Sequence, residues 1–448
     1  MGGRTATPEN RAQPGRAFGA LRHRDFRLLW GASLGFHVSN WMQQVAQNWL
    51  LYDLTGSALL VGLNGFIRTV PFLVMSLYAG TIADRVDRRK LLLLIECALC
   101  ALTFALGIIV LSGNIRVWHI YTYSVVTALF GAFEIPAQQS LLPYVVPRAD
   151  LMTAVALNSM VRRGTQIIGP SLGGIFVAAF GVADTYLINC VGYAGLITAL
   201  AMMRATNPAS ERTSEPPLKA MVDGIRYVRS DPLIGALIPI EAVFSVFGSF
   251  NPLLVVLARD VFRVGPQGFG FLQSAPGIGT VVGTIGLSAV GDVRRKGRLM
   301  IIAGVVYGLS VIAFAFAPSF PLAVALLALS GAADFVRGAT RLTTLQLVAE
   351  GPMLGRVMSL DGMSTRGLGQ LGGFQAGTLS TWVGVHWAIA AGAMVCVVAI
   401  LTVAWRVPAV RDLSRTGHVV REVDGGDAPP IPPSRRVSTE LKPADSTD

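Results

Sequence analysis

Leu91-Leu-Leu-Leu-Ile-Glu-Cys-Ala-Leu-Cys-Ala-Leu-Thr-Phe-Ala-Leu-Gly-Ile-Ile-Val-Leu-Ser112 decides the fold. A helix rises 1.5 Å per residue, and a hydrocarbon core of ~30 Å takes about 20 apolar residues to cross. This run is long enough, holds a single charge, and is bounded by Arg88-Arg89-Lys90 before it and by the turn residues Ser112-Gly113-Asn114 after it. Backbone groups in lipid must bond within their own segment, so the run is read as a membrane-spanning helix. The same pattern recurs on both sides. Spans are expected at 28–52, 58–80, 91–112, 117–143, 152–180, 184–204, 233–258, 267–290, 299–317, 321–348, 355–382 and 385–406. The 448 residues are 52% hydrophobic and 14% charged, against roughly 25% charge in a soluble domain. The fold class is therefore an all-α integral membrane protein with twelve transmembrane helices.

Basic residues set the orientation. Loops on one side carry Arg85, Arg88, Arg89, Lys90, Arg148, Arg294, Arg295, Lys296, Arg298 and both termini, whereas the opposite loops carry only Arg116, Arg259 and Arg263. An even span count with both termini in the cytoplasm follows. The net charge of +11 is thereby spent on topology, in short loops beside spans, and no nucleic-acid partner is expected. The first residues are too polar for a signal-peptide core. The segment around Phe18, Leu21, Phe26 and Leu28, with Arg interleaved, is expected along the membrane surface. Cys97, Cys100, Cys190 and Cys396 fall inside spans and read as packing residues. No His/Glu zinc pattern, nucleophile–base pair or phosphate-cradling loop is present in the sequence. An enzyme, a cofactor and a metal site are therefore not expected.

Two halves echo each other. Leu129-Phe-Gly-Ala-Phe-Glu134 matches Leu329-Ser-Gly-Ala-Ala-Asp334; Leu157, Met160, Arg163 and Gly164 match Leu360, Met363, Arg366 and Gly367; and Asp84 with its basic cluster matches Asp292 with its own. Parallel repeats of this kind build transporters, with a site between the repeats. The organisation read from the chain is a cytoplasmic segment 1–27, a six-helix bundle 28–204, a cytoplasmic loop 205–232, a second six-helix bundle 233–407 and a tail 408–448 whose Pro, Gly and charge content predicts disorder.

Charge inside a span costs ~2.5–3.5 kcal/mol per residue on insertion scales, so it marks function. Arg68, Arg162, Arg163, Glu134, Asp334, Arg337 and Arg366 are the candidates for ion coupling or substrate contact. Withdrawal from water favours a neutral carboxyl and a nearby guanidinium favours the anion, so a motion separating Glu134 from Arg68 or Arg163 would couple protonation to access. A permanent ion pair explains the same residues, and Arg162 and Arg163 also suit an anionic substrate. In the first helix His37, Asn40, Gln44 and Gln47 recur at helical spacing. This polar stripe is expected to face a water-filled cavity, or else to bond helix to helix.

Gly80-Thr-Ile-Ala-Asp84-Arg85-Val-Asp87-Arg88-Arg89-Lys90 resembles the loop signature of the major facilitator superfamily, with Asp87 where the family pattern has Gly. The resemblance implies that Gly80, Asp84, Arg85, Arg88 and Arg89 latch one conformational state. Gly169-Pro170-Ser-Leu-Gly173-Gly174 is similar to the core of the family's antiporter motif, and Gly369, Gly373 and Gly377 repeat its spacing in the eleventh helix. With Phe26-Arg-Leu-Leu-Trp30 and Leu142-Pro-Tyr-Val-Val-Pro147, the chain resembles the bacterial exporter branch that includes siderophore and macrolide-type drug efflux proteins, over residues 18–407. What this implies is a monomeric secondary transporter in the bacterial cytoplasmic membrane. It would export an amphipathic small molecule by alternating access, with protons as the exchanged partner. The alternatives are a lipid or lysolipid flippase or a nutrient importer of the same fold, and a receptor or scaffold that does not transport.

Overall fold

The computed structural model describes residues 18–203 and 226–411 apart from 229, 292, 294 and 350, with backbone alone at 77–85, 135, 139, 351–352, 363, 366–367 and 409. Expectations for residues 1–17, for most of 205–232 and for the tail beyond 411 lie outside the described residues, as do those for Asp292, for Gly80 beyond its backbone and for the side chains of Asp84, Arg85 and Arg366.

The described chain is helical throughout its spans: α1 Arg24–Thr55, α2 Ala58–Arg85, α3 Arg88–Leu111 and α4 Val117–Val145. The helical stretch Leu151–Met202 breaks at Gly181, whose φ of 85° and ψ of 173° are open only to glycine. It therefore supplies α5 (151–180) and α6 (182–202). Pro232–Phe247, interrupted near Gly248 and resumed by Asn251–Val256 and a π-turn Leu257–Val261, forms α7. Then come α8 Gly265–Val290, α9 Lys296–Ala315, α10 Phe320–Val348, α11 Gly351–Val383 and α12 Val385–Arg406. Eight of the helical stretches among the described residues are long and apolar enough to cross a membrane by composition. Leu151–Met202 counts once in that tally although it holds two spans. The polar stripe of α1, the glycines of α8 and the Gly, Gln, Ser and Thr residues of α11 make those three helices less apolar. With them the count reaches twelve, as the apolar runs predict.

Packing repeats between the halves. α1 packs on α5, α2 on α4, and α3 on α4 and α6; in the same order α7 packs on α11, α8 on α10, and α9 on α10 and α12. The two turns that lack a loop also correspond: Gly384, between α11 and α12, has φ 82° and ψ 163°, close to Gly181. The halves meet through an equivalent pair of contacts, α5 on α8 and α2 on α11.

One expectation is corrected. The segment around Phe26 does not lie apart on the membrane surface: α1 begins at Arg24, and Ala20, Phe26 and Leu29 are buried among Leu92, Leu141 and Leu200. Phe18 alone of that group is well exposed. The apolar spacing taken for a surface helix is the first turn of a spanning helix with one face in the bundle.

Candidate functional site

The closest contacts between the halves lie toward one end of the molecule, away from the basic loops. Near the start of α8, Gly270 faces Gly174 of α5: a Cβ built on either glycine would lie 3.0 Å from the Cα of the other. Only backbone fits there, as in small-residue helix crossings. Gly169 and Gly173 serve the same helix on its other side, where a Cβ on Gly173 would lie 2.8 Å from the Cα of Met42 in α1. At the equivalent α2–α11 contact Gly62 abuts Gly373, Gly377 abuts Ala58 and Leu59, and Phe66 packs on Phe374 at 5.3 Å. Gly369, by contrast, has open space beside it. The same end is tied by Arg259 to Asp53 at 2.9 Å, by the Tyr52 hydroxyl donating to Asp260, and by a hydrogen bond of 2.7 Å between Ser171 and Ser274.

Below this closed end a cavity of about 710 Å³ opens toward the basic loops. It runs from Gln47 to Gln138 and Asn158, the last two within about two turns of the basic ends of α4 and α5. His37, Asn40, Gln44 and Gln47 of α1, Arg68 of α2, Glu134 of α4, and Arg162 and Arg163 of α5 all line it. The α1 stripe divides between both of its expected duties. Asn40 is exposed in the cavity, whereas Gln47 is buried and donates to Ser124 Oγ at 2.5 Å, which donates in turn to Asn64 at 2.6 Å. The guanidinium of Arg163 stacks over Phe335 of the other half, 5.9 Å from its ring centre.

Asp334 and Arg337 are placed elsewhere. Arg337, 3% exposed, donates to Glu241 of α7 at 2.7 Å and to Asp334 at 2.8 Å, with Phe244 4.0 Å beneath its guanidinium. Arg341 pairs with Glu241 at 3.0 Å and with Asp361 of α11. Three carboxylates and two arginines thus form one network joining α7, α10 and α11, buried except at Asp334, whose side chain is half exposed. It does not join the cavity charges. Buried pairs of this kind hold a geometry more than they add stability. Glu241, Arg341 and Asp361 were not among the residues singled out for a role. The spacing of Asp334, Arg337 and Arg341 along one face of α10 was the available signal.

The loop after α2 has a local explanation for its departure from the family pattern. Asp87 caps α3: its carboxylate accepts from the amides of Arg89 at 3.0 Å and Lys90 at 3.4 Å, and its φ of −58° makes no demand for glycine. Arg89 donates to the last carbonyls of α6, Leu200 at 2.6 Å and Ala201 at 2.7 Å, where a cation complements the helix dipole. Arg88 is buried with its guanidinium 5.6 Å from the Tyr144 ring.

Sequence reasoning missed the aromatic wall of the cavity, Phe36, Trp41, Phe72 and Tyr193, and the polar Gln138, Asn158, Gln166 and Gln370. Gln138 and Gln166 stand one turn beyond Glu134 and Arg162, a spacing that could have found them.

Comparison with known proteins fits this architecture. The chain is 27% identical over 373 residues to the multidrug efflux pump Tap of Mycolicibacterium fortuitum, covering 80% of this chain and 90% of that protein. It is 28% identical over 340 residues to the enterobactin exporter EntS of Shigella boydii serotype 4, covering 75% and 81%. Its fold matches the crystal structure of a bacterial homologue of the iron transporter ferroportin in an inward-facing state, with a TM-score of 0.63 at 16% identity over 86% of this chain and 99% of that one. The transmembrane secretion effector family matches residues 15–421. The protein is a multi-pass membrane protein and belongs to that family, within the major facilitator superfamily.

Proposed function

We propose that the chain is a secondary exporter that carries an amphipathic small molecule, drug-like or siderophore, out of the cell by alternating access in exchange for protons. The observation that carries this reading is one cavity closed at the end away from the basic loops by glycine-to-glycine helix crossings and open at the other. With the basic loops in the cytoplasm, this is the state that loads substrate from inside. Exit requires the crossings at Gly174–Gly270 and Gly62–Gly373 to part while the halves close at the basic end. Both termini then face the cytoplasm, and one chain of two bundles contains the whole path. The latch role of Gly80, Asp84, Arg85, Arg88 and Arg89 belongs to that closing end.

The cavity chemistry suits a molecule with an apolar body and a polar end rich in oxygen. Phe36, Trp41 and Phe72 offer rings, and Arg68, Arg162 and Arg163 offer guanidinium donors against the single carboxylate of Glu134. A substrate O–H or N–H bonded to Glu134 competes with a proton for the same oxygen, which is the condition for exchange. Two of the relatives named above are a multidrug efflux pump and an enterobactin exporter, and that supports the reading.

A second reading has one observation in its favour. An apolar groove of about 860 Å³ runs along α7, α11 and α12, lined by Ile238, Val243, Leu360, Leu368 and Val403 and reaching Leu73 of α2. An acyl chain fits such a groove, as a lysolipid transporter requires. Counterflow in proteoliposomes against a panel of siderophores, drugs and lysolipids, with and without an imposed pH gradient, separates the two. Exchange of soluble amphipaths stimulated by the gradient supports export, and exchange confined to lysolipid replaces it with the second reading.

A further inference from the structure

Glu96 of α3 stands apart from every other acidic residue described within the spans. It is 0% exposed, and neither carboxyl oxygen has a hydrogen-bond partner among the described residues. Its neighbours along the helix, Leu92, Ile95 and Leu99, belong to an apolar cluster shared with α4 and α6. Glu241 and Asp361, also buried, each have an arginine. An ionised carboxylate left unpaired in such a place carries a cost that proteins avoid by neutralising the group. The charge that reaches it comes from Glu134, one helix away on the cavity wall. Tyr193 of α6 feels both carboxyls. On α3 itself Cys97 and Cys100 follow within one turn, and the free thiol of Cys100 donates to the backbone carbonyl of Cys190 in α6 at 3.9 Å. Arg68 of α2 lies within electrostatic reach of Tyr123 and Tyr193, and Arg162 of α5 within reach of His37.

We propose that Glu96 and Glu134 form a two-carboxyl proton site, in which Glu134 is the port to cavity water and Glu96 the dry position where the proton rests. The inference rests on the exporter reading and names the residues of its proton branch. Two like charges in a low-dielectric setting oppose each other, so the pair holds one proton between them. The step is a transfer with no other reactant: the O–H bond of protonated Glu134 breaks, an O–H bond forms on the Glu96 carboxylate, and Glu134 is again the anion. The reverse step returns the proton to the cavity once it opens to the other side. A substrate donor bound to Glu134 blocks the port, so substrate and proton take turns.

The test uses the full chain in lipid nanodiscs with dicyclohexylcarbodiimide, which adds to protonated carboxyls in apolar surroundings, and maps the adducts by mass spectrometry. The proposal expects an adduct on Glu96 that declines from mildly acidic to alkaline pH, with the pH at which it declines displaced in Glu134→Gln. An unlabelled Glu96, or labelling with the same pH profile in wild type and E134Q, overturns it. In proteoliposomes, E96Q should exchange whatever compound the wild type exchanges yet lose stimulation by a pH gradient. Gradient-driven transport by E96Q at the wild-type rate also overturns the proposal. Should the wild type exchange no compound at all, the exporter reading fails by itself, and the labelling still decides whether the carboxyl pair shares a proton.

Discussion

Replacing Gly174 with valine should open the end of the molecule that the structure shows closed. An added Cβ would run into the Pro266 carbonyl oxygen and sit 3.0 Å from the Gly270 Cα and 3.1 Å from its amide nitrogen. Carbon atoms pack at about 3.5–4.0 Å, so α5 and α8 must separate by roughly 0.5–1 Å, and more for the valine methyls. Forcing extra methyl groups into a packed contact costs about 1–3 kcal/mol. That penalty falls only on states in which these helices cross closely, and so shifts the balance toward the outward-open state by about 5–150-fold. An alternative state commonly holds ~0.1–10% of the population, so such a shift can make it a major species. The assay is labelling of a Gln44→Cys variant, its native cysteines replaced, with a membrane-impermeant maleimide added outside intact cells. Gln44 lines the cavity and is closed off from that side. Gly174→Val should raise the labelling rate, whereas Gly164→Ala, with nothing within 4 Å of its added carbon, should leave it unchanged. A well-folded Gly174→Val protein that labels no faster than the parent would show that the α5–α8 crossing is not the closing contact.

Other expectations follow from the same geometry. Asp53→Asn removes the partner of Arg259 at the closed end, but both side chains are over a third exposed, so the gain in Gln44→Cys labelling should be small, from about 0.2–1 kcal/mol, and should vanish at high salt. Arg337→Met leaves Glu241 with Arg341 alone and the half-exposed Asp334 without its partner, and should cost about 1–3 kcal/mol, read as a fall in melting temperature in detergent. Asp87→Ala should cost about 1 kcal/mol through loss of the α3 cap, while Asp87→Gly, the residue of the family pattern, should cost only a few tenths, by the same thermal measurement. Arg68→Gln should weaken counterflow of an oxygen-rich substrate by about 1.5–3 kcal/mol, read as a raised half-saturation concentration with the melting temperature held.

The spans were legible because a bilayer asks for a long uninterrupted run of apolar residues, and 91–112 shows how plainly that demand is written. The first helix was harder to place because its apolar and polar residues serve a bundle face and a cavity face at once; hydropathy averages them away. Its start at Arg24 was missed for the same reason. Glycine spacing pointed to α5 as a packing helix, but sequence does not say which neighbour each glycine meets. The structure assigns Gly169 and Gly173 to α1 and Gly174 to α8. Charges were found as charges, and their partners were not. Arg163 and Glu134 came to one cavity, while Asp334 and Arg337 turned to Glu241 on α7, a partner distant in sequence that no local pattern announces. Glu96 is the sharpest case. Its spacing looks like that of any helical acid, and only burial without a partner marks it.

The central claim is that one cavity faces the side of the basic loops and opens to the other side only by rearrangement. A cysteine at Gln138, near the mouth, tests it most directly. An impermeant maleimide should label Gln138→Cys in inverted membrane vesicles and leave it unlabelled in intact cells, with tags on both termini accessible from the vesicle exterior. Labelling from outside intact cells in the resting protein, or termini on opposite faces, would contradict the account.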